Sequence, residues 1–199
     1  MNREIAKANK AGKEKKKKRL ERKRNKLANQ LPTPDDISQR FDLTAAKAYE
    51  RKIANKKNKI YDHDKGDFGE EVAKVLATEN HLGQDISSLF QAGRNGVDGT
   101  FLAKGPPPKL TMIEVKTSEI AKFSYSSHQK LGGKGYFERM LTKKGNTRYQ
   151  NFREEYRQLL EDNPGLTFDY IRVEVDVHIT KVGFGVETLK VKDWNKEIK

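Results

Sequence analysis

Gly93–Ser118 reads GRNGVDGTFLAKGPPPKLTMIEVKTS, and its two strand-like runs, Val97–Leu102 and Leu110–Lys116, decide how the chain is read. The Gly105-Pro106-Pro107-Pro108 break between them lacks the N–H groups a central strand needs, so the runs close as an antiparallel hairpin. If the hairpin is symmetric about Pro106, positions whose numbers add to 212 lie opposite each other, and Asp98 faces Glu114. The loop is long enough for that register to slip. Alternation sends Glu114 and Lys116 to one face and Ile113 and Val115 towards a core. Facing carboxylates repel unless something compensates. A divalent cation is the simplest compensation, since Mg²⁺ takes one or two carboxylates and completes its shell with water and phosphate oxygens. Lys116, two residues beyond Glu114, is then placed to meet an attacking water or a phosphate.

Asp98, a spacer of fifteen residues and Glu114-Val115-Lys116 together resemble the PD-(D/E)XK nuclease superfamily. Gly96 and Gly99 bracket the Asp, and a hydrophobic strand carries the Glu and Lys. Val97 stands where the family usually has proline. The resemblance implies an α/β fold, a restriction-endonuclease-like mixed sheet flanked by helices. It makes Asp98, Glu114 and the backbone carbonyl of Val115 ligands of Mg²⁺ or Mn²⁺, with Lys116 beside the reacting water. Gly66-x-x-Gly69-Glu70 looks like the first core helix of that fold, which makes Glu70 a further catalytic residue and Glu71 the less favoured alternative. A first-turn acid favoured by the helix dipole is the plainer account of Glu70.

Beyond these residues, Arg94 in the turn before Asp98, Thr117 and Ser118 at the end of the active strand, and Gln129 and Lys130 are the candidates for substrate contact. Each has an ordinary alternative as a turn, cap or packing residue. Some family members pair a Gln and a Tyr one helical turn apart after the Lys, whereas Gln129 and Tyr136 stand seven apart here.

The 199 residues suffice for one domain plus an extension. No apolar run approaches the ~20 residues of a membrane span, and no apolar stretch follows the basic start as an ordinary signal peptide requires. The chain has no cysteine, which excludes disulfides and thiolate zinc sites and fits action in a reducing interior. The net charge of +13 is unevenly placed. Residues 1–60 hold 20 Lys/Arg and 7 Asp/Glu, while the remainder holds 21 of each.

Residues 1–30 form a basic, low-complexity arm, with Lys15–Arg19 uninterrupted and no face worth burying. It is read as a solvated helix or mobile arm that either grips phosphates or serves as a charged linker. Pro32 and Pro34 end it, and residues 31–60 follow as a linker and a helix leading into the domain at 61–199. Helical spacing marks Asp67–Ala77 and 149–162 as helices, the second stopped by Asn163-Pro164-Gly165. Ile86–Ala92 is the first strand or its approach. Phe168–Thr180 alternates as a half-buried strand, with Ile171, Val173, Val175, Val177 and Ile179 inward and Arg172, Glu174, Asp176, His178 and Thr180 outward.

The expectation is a metal-dependent endonuclease, DNA more than RNA its substrate. A neutral nuclease domain behind a charged low-complexity segment is similar to the C-terminal modules of bacterial polymorphic and contact-dependent inhibition toxins. That likeness implies a cognate immunity protein as partner, and delivery to a cytoplasmic site of action. A transfer-RNA-cleaving toxin, a phage, mobile-element or repair nuclease, and a non-catalytic nucleic-acid-binding protein acting through its arm are the alternatives.

Overall fold

A computed structural model describes residues 2–31, 33–52, 62–93, 95–142, 149–179 and 183–198. The hairpin forms as β5 (Gly99–Ala103) and β6 (Lys109–Ser118), antiparallel, with Gly99 opposite Ile113 and Ala103 opposite Lys109. Every pair adds to 212, the register that symmetry about Pro106 dictates. β7 (Thr167–Ile179) runs parallel to β6 from Lys109↔Thr167 to Ser118↔Asp176. β8 (Gly183–Asp193) returns antiparallel to β7. Two short strands close the edges: β1 (Glu50–Lys52) on β8 and β2 (Gln84–Asp85) on β5. The result is a mixed six-stranded sheet in the order β1-β8-β7-β6-β5-β2. Gln91–Ala92 (β3) and Asn95–Gly96 (β4) pair separately. The Ile86–Ala92 segment is thus mostly a 3₁₀ turn, Ser87–Phe90, with two strand residues at its end.

Parallel strands need a crossover. Residues 119–166 supply it with helices α4 (Gly132–Thr142) and α5 (Phe152–Asp162). The other helices are α1 (Asn2–Gln30), α2 (Thr44–Ala48) and α3 (Asp62–Glu79). The segment expected as a linker is drawn into the sheet. Ile37 is buried, its N–H donates to Val191 O, and β1 pairs with β8.

Each face of the sheet has its own core. Odd-numbered residues of β6 and β7, including Ile113, Val115, Val173 and Val175, pack with Phe68, Val72 and Leu76 of α3. Even-numbered Leu110, Met112 and Tyr170 pack with Phe137 of α4, Phe152 of α5 and Trp194. β7 is therefore covered on both sides, so Arg172 (3% exposed), Glu174 (5%) and Asp176 (0%) are buried rather than outward as their alternation suggests. Alternation separates two faces without saying that only one is covered.

α3 begins earlier than its apolar spacing indicates and crosses β6 at Gly69. A Cβ there would meet Thr117 Cγ2 at 2.4 Å and Val115 Cγ1 at 2.9 Å. Both neighbours are β-branched and stiff at χ1. Gly69→Ala is expected to cost about 1–3 kcal/mol through overpacking. Thermal melts of that variant and of Gly69→Ala/Thr117→Ser test the cause, because removing Thr117 Cγ2 should recover part of the loss.

Candidate active site

β6 leaves the apolar half of its even face at Met112 and presents Glu114 and then Lys116. Asp98, one residue before β5, stands beside them. Its Oδ2 accepts the Val115 N–H at 2.7 Å, and its own carbonyl accepts Gln91 Nε2 at 3.0 Å. The aspartate is thereby tied to the strand that carries the glutamate.

Glu114 is 2% exposed. Its Oε1 accepts Lys116 Nζ at 2.5 Å and Gln129 Nε2 at 2.5 Å. Its Oε2 is buried with no hydrogen-bond donor. Oε2 is thus left unsatisfied while the charge of Asp98 lies close by. Burial raises both acids. Glu114 is pushed up to about 8 by loss of solvent and then by the Asp98 charge, against the pull of Lys116. Lys116 keeps a quarter of its side chain exposed, so the site reaches solvent there.

Gln129 arrives on a short 3₁₀ turn, Gln129–Leu131, held from behind where its carbonyl accepts Trp194 Nε1–H at 2.9 Å. Its Oε1 accepts the Ser126 N–H, which fixes the amide so that its NH₂ faces Glu114. Tyr136, on α4, donates to Gly96 O at 3.1 Å. Burial and then the charges of Glu114 and Asp98 raise its hydroxyl. The Gln and Tyr thus meet the same site although their spacing departs from the family's.

The other candidates fall elsewhere. Thr117 points to the opposite face, against Gly69. Ser118 Oγ accepts the N–H groups of Ile120 and Lys122, so it acts as a cap. Lys130 is exposed, and its carbonyl accepts the Ile198 N–H. Arg94 lies outside the described residues. Glu70 is half-buried on α3, next to the crossing at Gly69. Among the described residues no group of three His, Asp or Glu side chains is set to hold a metal. Glu71 is engaged by Tyr49 OH at 3.2 Å and Arg51 at 3.6 Å.

The even face continues into a second polar layer that the sequence reading placed in solvent. Parallel pairing sets Arg172 beside Glu114 and Glu174 beside Lys116. Arg172 pairs with Asp35, lies 3.9 Å from Glu174 and sits 4.8 Å above the Tyr125 ring. Tyr125 OH donates to Glu174 Oε1 at 2.7 Å, and Lys192 lies 3.5 Å from Glu174. No sequence pattern announces this layer, because it depends on which strand lies parallel to β6.

The raised acids set a pH dependence. The folded pair binds a proton that the unfolded chain has released above its ordinary carboxylate pKa. Stability in EDTA is therefore greatest at low pH within this window, and it falls as pH rises from about 5 to about 8, by at most ~1.4 kcal/mol per pH unit for one proton. Asp35, Asp36, Asp85 and Asp169 are held low and titrate below this window, whereas burial also raises Asp176, against the pull of Arg22, and adds to the fall. Melting temperature against pH, with EDTA and with Mg²⁺, checks the sign. A cation that replaces the proton should flatten or reverse the fall.

Compared with known proteins, the chain matches no protein-family model, no curated protein and no solved structure. The fold and site therefore define a class on their own evidence: a mixed α/β domain with a buried carboxylate pair beside a lysine on its sheet. No described helix is long and apolar enough to cross a membrane.

Proposed function

We propose that the chain is a metal-dependent endonuclease of the PD-(D/E)XK kind, with a restriction-endonuclease-like fold, acting on DNA. The observation that carries this reading is the unsatisfied Glu114 Oε2, buried beside Asp98 and within one residue pair of Lys116. Two buried carboxylates with a free acceptor and one lysine are an unfavourable arrangement for stability alone. They fit a divalent cation, which brings positive charge to the pair. The antiparallel hairpin within a mixed sheet, flanked by α3, is consistent with the fold that the resemblance implies.

Asp98 and Glu114 would hold the cation, with the Val115 carbonyl as the family's further ligand. When bound, the ion supplies Lewis-acid neutralisation of phosphate charge and a more acidic water. The protein's own groups do the rest. Lys116, already within 2.5 Å of Glu114 and open to solvent, offers a proton donor and a positive charge to the phosphate oxygens. Gln129 fixes Glu114 in place and leaves its Oε2 directed away from the amide. Tyr136 holds the backbone two residues before Asp98 through its bond to Gly96 O. A bacterial toxin is the setting this reading favours, with an immunity protein as partner.

The test is incubation with supercoiled plasmid and, separately, total transfer RNA, each with Mg²⁺ or EDTA. Metal-dependent plasmid cutting with intact transfer RNA is the expected result. Cutting of transfer RNA alone would move the substrate to RNA, and no cutting of either would sink the catalytic reading.

A further inference from the structure

α1 holds the strongest charge concentration among the described residues. Between Lys13 and Lys26 it carries ten Lys/Arg against Glu14 and Glu21 alone. It is neither a free tail nor a fully solvated helix. Residues 12–20 are exposed all round, whereas Arg22, Asn25 and Lys26, which share one face, meet the domain. Asn25 Nδ2 donates to Ile120 O at 3.0 Å, Arg22 lies 3.4 Å from Glu187, and Lys26 pairs with the same Glu187.

Arg22 also reaches to 3.8 Å from Asp176 Oδ1. Asp176 is fully buried in β7, its Oδ1 accepts the Ala121 N–H, and its Oδ2 has no donor. A buried carboxylate is costly without a countercharge, and the countercharge here comes from α1. The anchor sits on the 118–131 segment that also delivers Gln129 to Glu114. The exposed cations are therefore fixed to the domain through the three residues of this anchor.

We propose that α1 is an anchored duplex-DNA arm, in which Lys15–Arg19 grips phosphates while Arg22, Asn25 and Lys26 lock the helix to the domain. The chemistry of the helix selects the partner. It has no aromatic residue, the first in the chain being Phe41, so it lacks the rings on which single-stranded bases stack. A helix about 10–12 Å across fits the ~12 Å major groove of B-DNA, whereas the deep, narrow groove of duplex RNA does not admit it. With Ile5, Leu20 and Leu27 as its only large apolar residues, it has no apolar face to insert into a lipid surface.

The test is fluorescence anisotropy with a labelled DNA duplex of about 30 base pairs, in EDTA, over about 50–300 mM salt. Cleavage plays no part in it, so it stands or falls separately from the nuclease reading. Lys15→Gln/Lys16→Gln/Lys17→Gln/Lys18→Gln keeps helix propensity, which circular dichroism verifies. The variant should bind at least tenfold more weakly at about 0.1 M salt, with the slope of log K against log salt smaller by up to ~3.6. Unchanged affinity and slope would overturn the arm. Glu187→Gln/Asn25→Ala loosens the anchor while making the protein more positive, so weaker binding supports anchoring and tighter binding overturns it. Equal affinity for a duplex RNA of the same length, or for phosphatidylserine vesicles, would overturn the assignment to DNA.

Discussion

Lys116→Ala should lower the single-turnover rate of plasmid cleavage by about 10²–10³-fold or more, the range seen when one preorganised charge-stabilising donor is lost. Binding to the duplex in EDTA should be nearly unchanged. The lysine is one of two donors to Glu114 Oε1, and its charge opposes the upward shift of the carboxylate pair. Its removal therefore has two separable consequences. The first is loss of the positive charge beside the phosphate. The second is a further rise in the pair's affinity for protons, which moves the alkaline onset of cleavage to higher pH and weakens Mg²⁺ at neutral pH. Lys116→Arg retains the charge but not the compact ammonium, and it should restore the pH profile more than the rate. Unchanged cleavage in Lys116→Ala would remove the lysine from the chemistry. An equal loss of DNA binding and cleavage would make it a binding residue only.

Arg172→Ala should be the most destabilising single change in the polar layer, by about 3–5 kcal/mol, the cost of leaving a buried charge partner uncompensated. For a chain of this length that is a drop in melting temperature of roughly 6–20 °C. Arg172 is 3% exposed, pairs with Asp35 and covers the Tyr125 ring, so truncation leaves Glu174 facing Lys192 and Tyr125 across a cavity. Adding Glu174→Gln should recover part of the loss, because it removes a buried negative charge that then has only Lys192 as countercharge. A loss below about 1 kcal/mol in Arg172→Ala would mean that water reaches the layer and solvates it, as at an exposed ion pair.

The sequence disclosed the hairpin and the pairing of Asp98 with Glu114 because both follow from local rules: a turn that excludes pairing, symmetry about Pro106, and alternation along β6. Gln129 was legible from its residue type and position after Lys116, but not its contact with Glu114, which depends on how the 119–131 segment folds back. In the sequence Arg172, Glu174 and Asp176 look solvent-facing, because period-two alternation is the same on a strand covered once or twice. Only the parallel pairing of β7 with β6, made by a 48-residue crossover from 119 to 166, reveals that they continue the site's face. The docking of α1 was equally hidden, since Arg22, Asn25 and Lys26 do not differ in type from the cations around them. What distinguishes them is Asp176 and Glu187, some 150 residues away in the chain. Thr117 and Ser118 show the converse, since adjacency to Lys116 does not place either with it.

The central claim is that the Asp98–Glu114 pair takes a divalent cation, and calorimetric titration of Mn²⁺ into the wild-type chain and Asp98→Asn at about pH 8 tests it most directly. One site per chain in the wild type, with proton release that grows as the pH is lowered, and none in Asp98→Asn is the predicted result. Equal binding by both proteins, or no binding by either, would contradict it.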